Sequence, residues 1–328
     1  MTTKGFFLFS VVYSGFAVAF ATVFHVGGLT YAVDAMDLIL MLLKSAGRKL
    51  HWFLLIGVAA YLFDRENWNV LRFKNIVLAL AGALFFGFAF SATKTTLPYV
   101  VPFWADAPLA VVDRVLHFGV DPYVLSYKWI AWFPAEWIPT TYLVLWAPLA
   151  VFFPVWLIVV DNDAARVRRF LLLYVLTWVV LGNILAGAFM SAGPVYYDRL
   201  LGGSLFADLI AALDASGISD TAIGAIQKNL WDIYAGDLMG VGSGISAFPS
   251  VHVGVATLLA IYLAERSRYL LPIGLAYLVA IQILSVHIGF HYAIDGYVSI
   301  GVVVGFWAVL RRRQSHHPAQ SAVPNFGM

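Results

Sequence analysis

Apolar residues in this chain run in long blocks, with few polar positions breaking them into the stripes of a soluble helix. The block from Phe6 to about Val26 and those near 73–93, 137–160 and 168–190 approach or exceed the ~18 apolar residues that mark a bilayer-crossing helix. Along the whole chain the blocks predict helices over about 6–28, 50–64, 73–93, 137–160, 168–190, 250–264, 270–288 and 292–310. The fold class read from them is all-α, a polytopic membrane helical bundle. Residues 36–43, just before the short block 50–64, either lie in the membrane interface or extend that span. The stretch 95–136 carries Pro98, Pro102, Pro108, Pro122 and Pro134 among tryptophans. It is expected to be a loop with interfacial or re-entrant pieces, because Trp and Tyr favour the headgroup level. Residues 191–247 form the longest polar insertion, and the polar tail 314–328, with Pro318 and Pro324, is expected to be disordered.

Composition agrees with this pattern. Of the 328 residues 62% are hydrophobic and 12% charged, against about 25% charged in soluble domains. A net charge of +2 supplies no global field for nucleic acid. The absence of cysteine excludes disulfides, thiolate catalysis and cysteine-ligated metal. The first block is too long for a signal-peptide core and lacks a clear small-residue cleavage site, so it reads as a retained span. Basic residues then orient the bundle. With eight spans, Arg65, Arg72 and Lys74, then Arg166, Arg168 and Arg169, then Arg266 and Arg268, and finally Arg311, Arg312 and Arg313 all fall on one side, the cytoplasmic one. Lys44, Arg48 and Lys49 fall on the other. The insertion 191–247 and the starts of helices 250–264 and 292–310 therefore meet on the non-cytoplasmic side, as a membrane-surface active site requires.

Two stretches there carry chemistry: "GISAFPSVHVG" (244–254) and "SVHIGFHYAID" (285–295). His287, His291 and Asp295 are spaced i, i+4, i+8, which on a helix is one stripe drifting about 40° per step. Asp295 can accept from a ring N–H of His291, fixing the tautomer and leaving the other nitrogen as nucleophile or base. Ionisable groups in an apolar chain are a functional signal. In the first stretch Pro249 is expected in the first turn of helix 250–264, where Ser250 and the local N–H groups can bind an anion. His252, one turn in, can present a proton to it. Gly240, Gly242 and Gly244 let backbone approach closely. An anion nest, two histidines and a carboxylate point to phosphoryl transfer. Each feature also has a plain structural reading: Ser250 as a helix cap, His252 as a core histidine, His287 as a packing residue. His25, His51, His117, His316 and His317 join no constellation.

"FPSVH" followed by "GFHYAID" resembles the type 2 phosphatidic acid phosphatase superfamily of membrane lipid phosphatases and phosphotransferases. "SAFPSVHVG", with Val251 where glycine is usual, is similar to the inositol phosphorylceramide and sphingomyelin synthase branch. The likeness covers about 137–310. It implies a six-helix core over 71–313, an N-terminal addition of about two helices over 1–70, and the tail 314–328. It further implies that His291 attacks phosphorus, that Asp295 orients it, and that His252 protonates the leaving oxygen and then serves as base. Ser250 would hold a phosphate oxygen. The superfamily's arginine six residues before the nucleophile is Ser285 here, and its lysine–arginine block is replaced by "SAGPVYYDR" (191–199). Arg199 is then the expected surrogate phosphate ligand, with Tyr197 and His287 beside the substrate and Lys228 a weaker choice. The losses favour a transferase over a plain phosphatase.

The reaction so implied needs no metal and no cofactor, and its substrate is a phospholipid, ceramide or polyprenyl phosphate at the outer leaflet of what is expected to be a bacterial inner membrane. Two other readings compete. His252, His287 and His291 could ligate zinc in a membrane hydrolase, with Asp295 bonded to one ligand. A non-enzymatic transport or lipid-binding protein would instead carry charges or broken helices near mid-membrane.

Overall fold

A computed structural model describes residues 1–24, 33, 69–236 and 244–315. Among them every regular element is helical. The expected helix 50–64, the segment 36–43, the basic cluster at 44–49, Gly240, Gly242 and the tail beyond 315 lie outside the described residues. Among the described residues five helices are long and apolar enough to cross a membrane: Thr3–Phe24 (α1), Val70–Val100 (α2), Ala164–Ala188, Arg268–His287 and Ala293–Gln314. A bent pair, Ala135–Val151 and Phe153–Val160 meeting at 63°, passes the same test when taken together, as a broken span would. The protein is thus a polytopic helical bundle, as the apolar blocks predict.

The spans start and stop where side chains satisfy the open ends of the helical ladder. Asn69 accepts from Arg72 N (2.9 Å) at the start of α2, and Asp163 accepts from Ala165 N (2.9 Å) ahead of the span Ala164–Ala188. The bend in the broken span falls at Phe152, among Pro139, Pro148 and Pro154, which cannot donate to the ladder. A layer of rings joins α1, α2 and the spans that follow. Phe86 lies 5.9 Å from Phe6 and 5.3 Å from Tyr174, and Tyr174 stacks on Phe153 at 6.0 Å.

The helix Val251–Arg266 is the axis of the bundle, ten of its sixteen residues being buried. Small residues let its neighbours close in. A Cβ at Gly254 would stand 2.4 Å from Leu181, and one at Gly274 2.7 Å from the Ala260 Cα. At the Arg266 end of this axis the basic groups gather. Arg72 donates to the Ile158 and Val159 carbonyls, Arg166 pairs with Asp161 at 2.6 Å, and Arg169 reaches Glu265 and Gln314. The histidine-bearing ends lie at the opposite pole, so the separation expected from the charge pattern is present.

Two loop expectations are corrected. The stretch 95–136 is largely helical: α2 continues through Pro98 to Val100, and Asp106–Leu116 (α3) and Pro122–Trp129 (α4) follow. A proline forfeits one ladder bond without ending a helix packed on both sides. The insertion 191–247 likewise holds the helices Pro194–Leu201, Ala207–Ala215 and Ala222–Ala235.

Candidate active site

Three backbone ends meet at the pole away from the Arg72, Arg166 and Arg169 cluster. Helix Leu271–His287 stops at His287 and turns through Gly289, whose φ of +72° is a left-handed conformation suited to glycine. The next helix starts at Ala293. His291 therefore stands in the turn between two helices, and the expected single stripe of His287, His291 and Asp295 does not form. Asp295, in the first turn of the new helix, still reaches back: its Oδ2 lies 3.1 Å from His291 Nδ1 and accepts from Tyr292 N at 3.1 Å. Both side chains are buried, and Asp295 Oδ1 has no partner among the described residues. Burial holds His291 well below the usual imidazole range; the Lys94 charge adds to this and a backbone hydrogen bond to Ala247 opposes it. Burial thus favours the neutral ring. With Nδ1 turned to the carboxylate, Nε2 is the nitrogen left for chemistry.

Ser250 caps the axial helix, its Oγ accepting from Val253 N at 3.3 Å, and its N–H donates to the Asp295 carbonyl at 3.3 Å. Pro249 precedes this cap and is not in the first turn, because the capping geometry falls on Ser250. His252 lies between two aromatic faces, stacked on Tyr142 at 4.6 Å (7°) and on Trp146 at 3.9 Å (23°). Trp146 Nε1 also donates to the His252 carbonyl at 3.1 Å. The centroids of His252 and His291 are 6.2 Å apart. The cavity beside His291 has a volume of about 10 Å³, room for about one water.

Other expected site residues stand further out. His287 Nδ1 meets Ser126 Oγ at 3.1 Å and its ring lies 4.0 Å from Tyr127, so α4 occupies its polar and apolar faces. Tyr197 packs on Phe206 at 5.2 Å, Arg199 is exposed over the Trp231 ring at 5.5 Å, and Lys228 pairs with Asp232 at 2.6 Å. Among the described residues no group of three or more His, Asp or Glu side chains is arranged to hold a metal ion.

Three residues that the sequence reading did not single out support the site. Asp106 accepts from Ala192 N (2.8 Å), Gly193 N (2.9 Å) and the Tyr292 hydroxyl (3.0 Å), tying the 191–193 turn to the residue beside His291. Asp113, one heptad on along the same helix, accepts from Ala293 N (2.9 Å) and Ile294 N (3.0 Å) and so caps the helix that carries Asp295. Burial raises the pKa of both carboxyls, and these hydrogen bonds oppose the rise. The third is Lys94 on α2, whose backbone carbonyl seats Gly244 at the head of the segment leading to Ser250. The available signal was an ionisable residue standing alone in an apolar block.

Comparisons with curated proteins and with solved structures return no match. A family model described as PAP2 superfamily matches residues 107–309, beginning earlier than the likeness expected from 137 and taking in Asp113, Ser250, His252, His291 and Asp295. That match covers more than half of the chain, which therefore belongs to the PAP2 superfamily.

Proposed function

We propose that this integral membrane protein is a metal-independent lipid phosphotransferase or phosphatase that works through a phosphohistidine on His291. The observation that carries the reading is the His291–Asp295 contact at 3.1 Å with the His252 ring facing it at 6.2 Å. Nε2 attacks phosphorus with its lone pair, and the bond from phosphorus to the leaving oxygen breaks. That oxygen keeps the electron pair and takes a proton from His252. Water or an alcohol then attacks the phosphohistidine, His252 removes its proton, and the P–N bond breaks with its electrons returning to Nε2. Asp295 orients the ring and stabilises its charged form. Ser250 and the N–H groups at the start of its helix hold a phosphate oxygen.

The substrate is read as a phospholipid, ceramide or polyprenyl phosphate entering from the outer leaflet of a bacterial inner membrane. Supporting this, the site stands at the pole opposite the arginine-rich end, and cytoplasmic ends are the basic ones. Tyr197 and Arg199 stand on the same side as the histidines and are read as headgroup contacts. Val251 and Ser285 favour an alcohol acceptor, as in the inositol phosphorylceramide and sphingomyelin synthase branch. The test is lipid phosphate turnover in vesicles with orthovanadate or with chelator. Inhibition by vanadate and indifference to chelator support the reading. Loss of activity on chelation, with recovery on added zinc, contradicts it.

A further inference from the structure

A transferring phosphoryl group needs cations or N–H donors aimed at its oxygens. Ser285 Oγ donates to the Gln282 carbonyl, Arg199 is exposed over Trp231, and Lys228 is paired with Asp232. None of these places a cation between the histidines.

Lys94 lies on α2, one turn beyond Phe90. The Phe90 ring meets Trp178 edge-on at 4.6 Å, Trp178 lies 5.9 Å from Trp146, and Trp146 stacks on His252. A Cβ at Gly182 would lie 2.3 Å from Phe90 and 3.1 Å from Val251, the neighbour of His252. The Phe90 face of α2 is thus packed toward the start of the axial helix. Pro98, four residues after Lys94, has no N–H, so the Lys94 carbonyl is left out of the α2 ladder. Gly244 seats against that carbonyl, where a Cβ would approach to 2.6 Å. From Gly244 the chain runs through Ile245 and Ala247 to Ser250. Lys94 is therefore fixed beside the segment that delivers the cap serine, one helical turn from Phe90 on the face of α2 that packs toward the start of the axial helix and His252. Among the described residues no ion pair or hydrogen bond engages the Lys94 ammonium.

We propose that Lys94 is an anion-binding residue of the active site, its ammonium holding the non-bridging oxygens of the phosphate between His252 and His291. The residue lies outside the segment matched to the superfamily, so α2, though outside that match, completes the site. An ammonium is a compact charge with three donors and suits a tetrahedral oxyanion that turns over during reaction. The proposal rests on the phosphohistidine reading for where phosphorus sits, but anion binding can be measured without turnover.

The experiment uses the full chain in detergent with His291→Ala as background. Equilibrium binding of inorganic phosphate and of a short-chain phosphatidic acid is measured with and without Lys94→Met, alongside thermal unfolding. The expected result is a loss of affinity of about tenfold or more for both anions at an unchanged unfolding temperature, the scale of one charge-assisted contact. Tighter binding of the lipid than of inorganic phosphate assigns the site to the headgroup, and equal binding assigns it to free phosphate. A lysine that only snorkels to the interface leaves both affinities unchanged, which overturns the proposal. If Lys94→Met does not fold, Lys94→Cys gives a unique thiol in this cysteine-free chain. Alkylation with 2-bromoethylamine then rebuilds an ammonium. Recovered phosphate affinity upholds the proposal, and complete alkylation without recovery overturns it. Turnover by His291→Ala, measured separately, would end the phosphohistidine reading and leave the Lys94 result standing on its own.

Discussion

His252 and His291 face each other, yet their substitutions should fail in different ways. His252→Ala removes a proton donor, so a phosphodiester with an acidic nitrophenol leaving group should recover much of the lost rate. The same substrate should not rescue a protein that lacks the His291 nucleophile. Equal rescue of both would remove the distinction between acid and nucleophile. Asp295→Asn keeps the shape and loses the charge that orients His291, and its rate should fall between those of wild type and His291→Ala. Trp146→Phe keeps a ring against His252 but removes the 3.1 Å bond to its carbonyl together with part of a buried ring. Thermal unfolding should then show a loss of at least about 1 kcal/mol, the hydrogen bond and the cavity adding. A rate unchanged on nitrophenyl substrates but lowered on natural lipids would place the effect on the acid. At this scale Ser250 with His252, and His291 with Asp295, were legible because each pair sits at a short spacing, while the packed helices bring the two pairs together. Lys94 was not, since it is delivered by a distant helix, and one lysine carries no spacing to read.

The helix that bears Asp295 is started by another element. Asp113 on α3 accepts from its first two N–H groups, 2.9 and 3.0 Å away. Asp113→Ala leaves these donors buried without a partner and should cost about 1–3 kcal/mol, with activity falling as the His291–Asp295 geometry loosens. A neutral result in chemical denaturation would show that water or another group takes over the cap. Gly193 makes the complementary approach from the 191–193 turn. Its φ is +92°, and a Cβ there would stand 2.4 Å from the Phe290 carbonyl, next to His291. Gly193→Ala should therefore destabilise the protein and depress kcat together. A variant as stable and active as wild type would mean that this turn does not hold the His291 backbone. Among the described residues the apolar blocks predicted where the long helices lie, although α2 runs on to Val100 past the expected end at 93, and the block 50–64 lies outside the described residues. They missed α3 and α4 because five prolines in 95–136 read as breaks, while packing keeps Pro98 and Pro108 inside helices. Asp106 and Asp113, seven apart, share one helical stripe, a pattern visible only once that stretch is read as helical.

Across the whole molecule the arginine-rich end and the histidine end are separated by the axial helix. Its sixteen residues span about 24 Å at 1.5 Å per residue. This polarity gives a direct test of orientation in a chain without cysteine. Ser204→Cys, on the histidine side, should react with an impermeant maleimide in intact cells, and Arg313→Cys only after permeabilisation. The reverse pattern would put the site on the cytoplasmic face. Charge asymmetry was readable from the sequence alone because it needs only the order of the spans, whereas the closure of the site around His291 needs the packed helices. The most direct measurement of the account is to quench a turnover with phosphate-labelled lipid in alkali and map the label by mass spectrometry. A phosphohistidine on His291 gives an acid-labile, alkali-stable label on the peptide containing His291 and none in His291→Ala. Label on another residue, or full turnover by His291→Ala without a labelled intermediate, would contradict it.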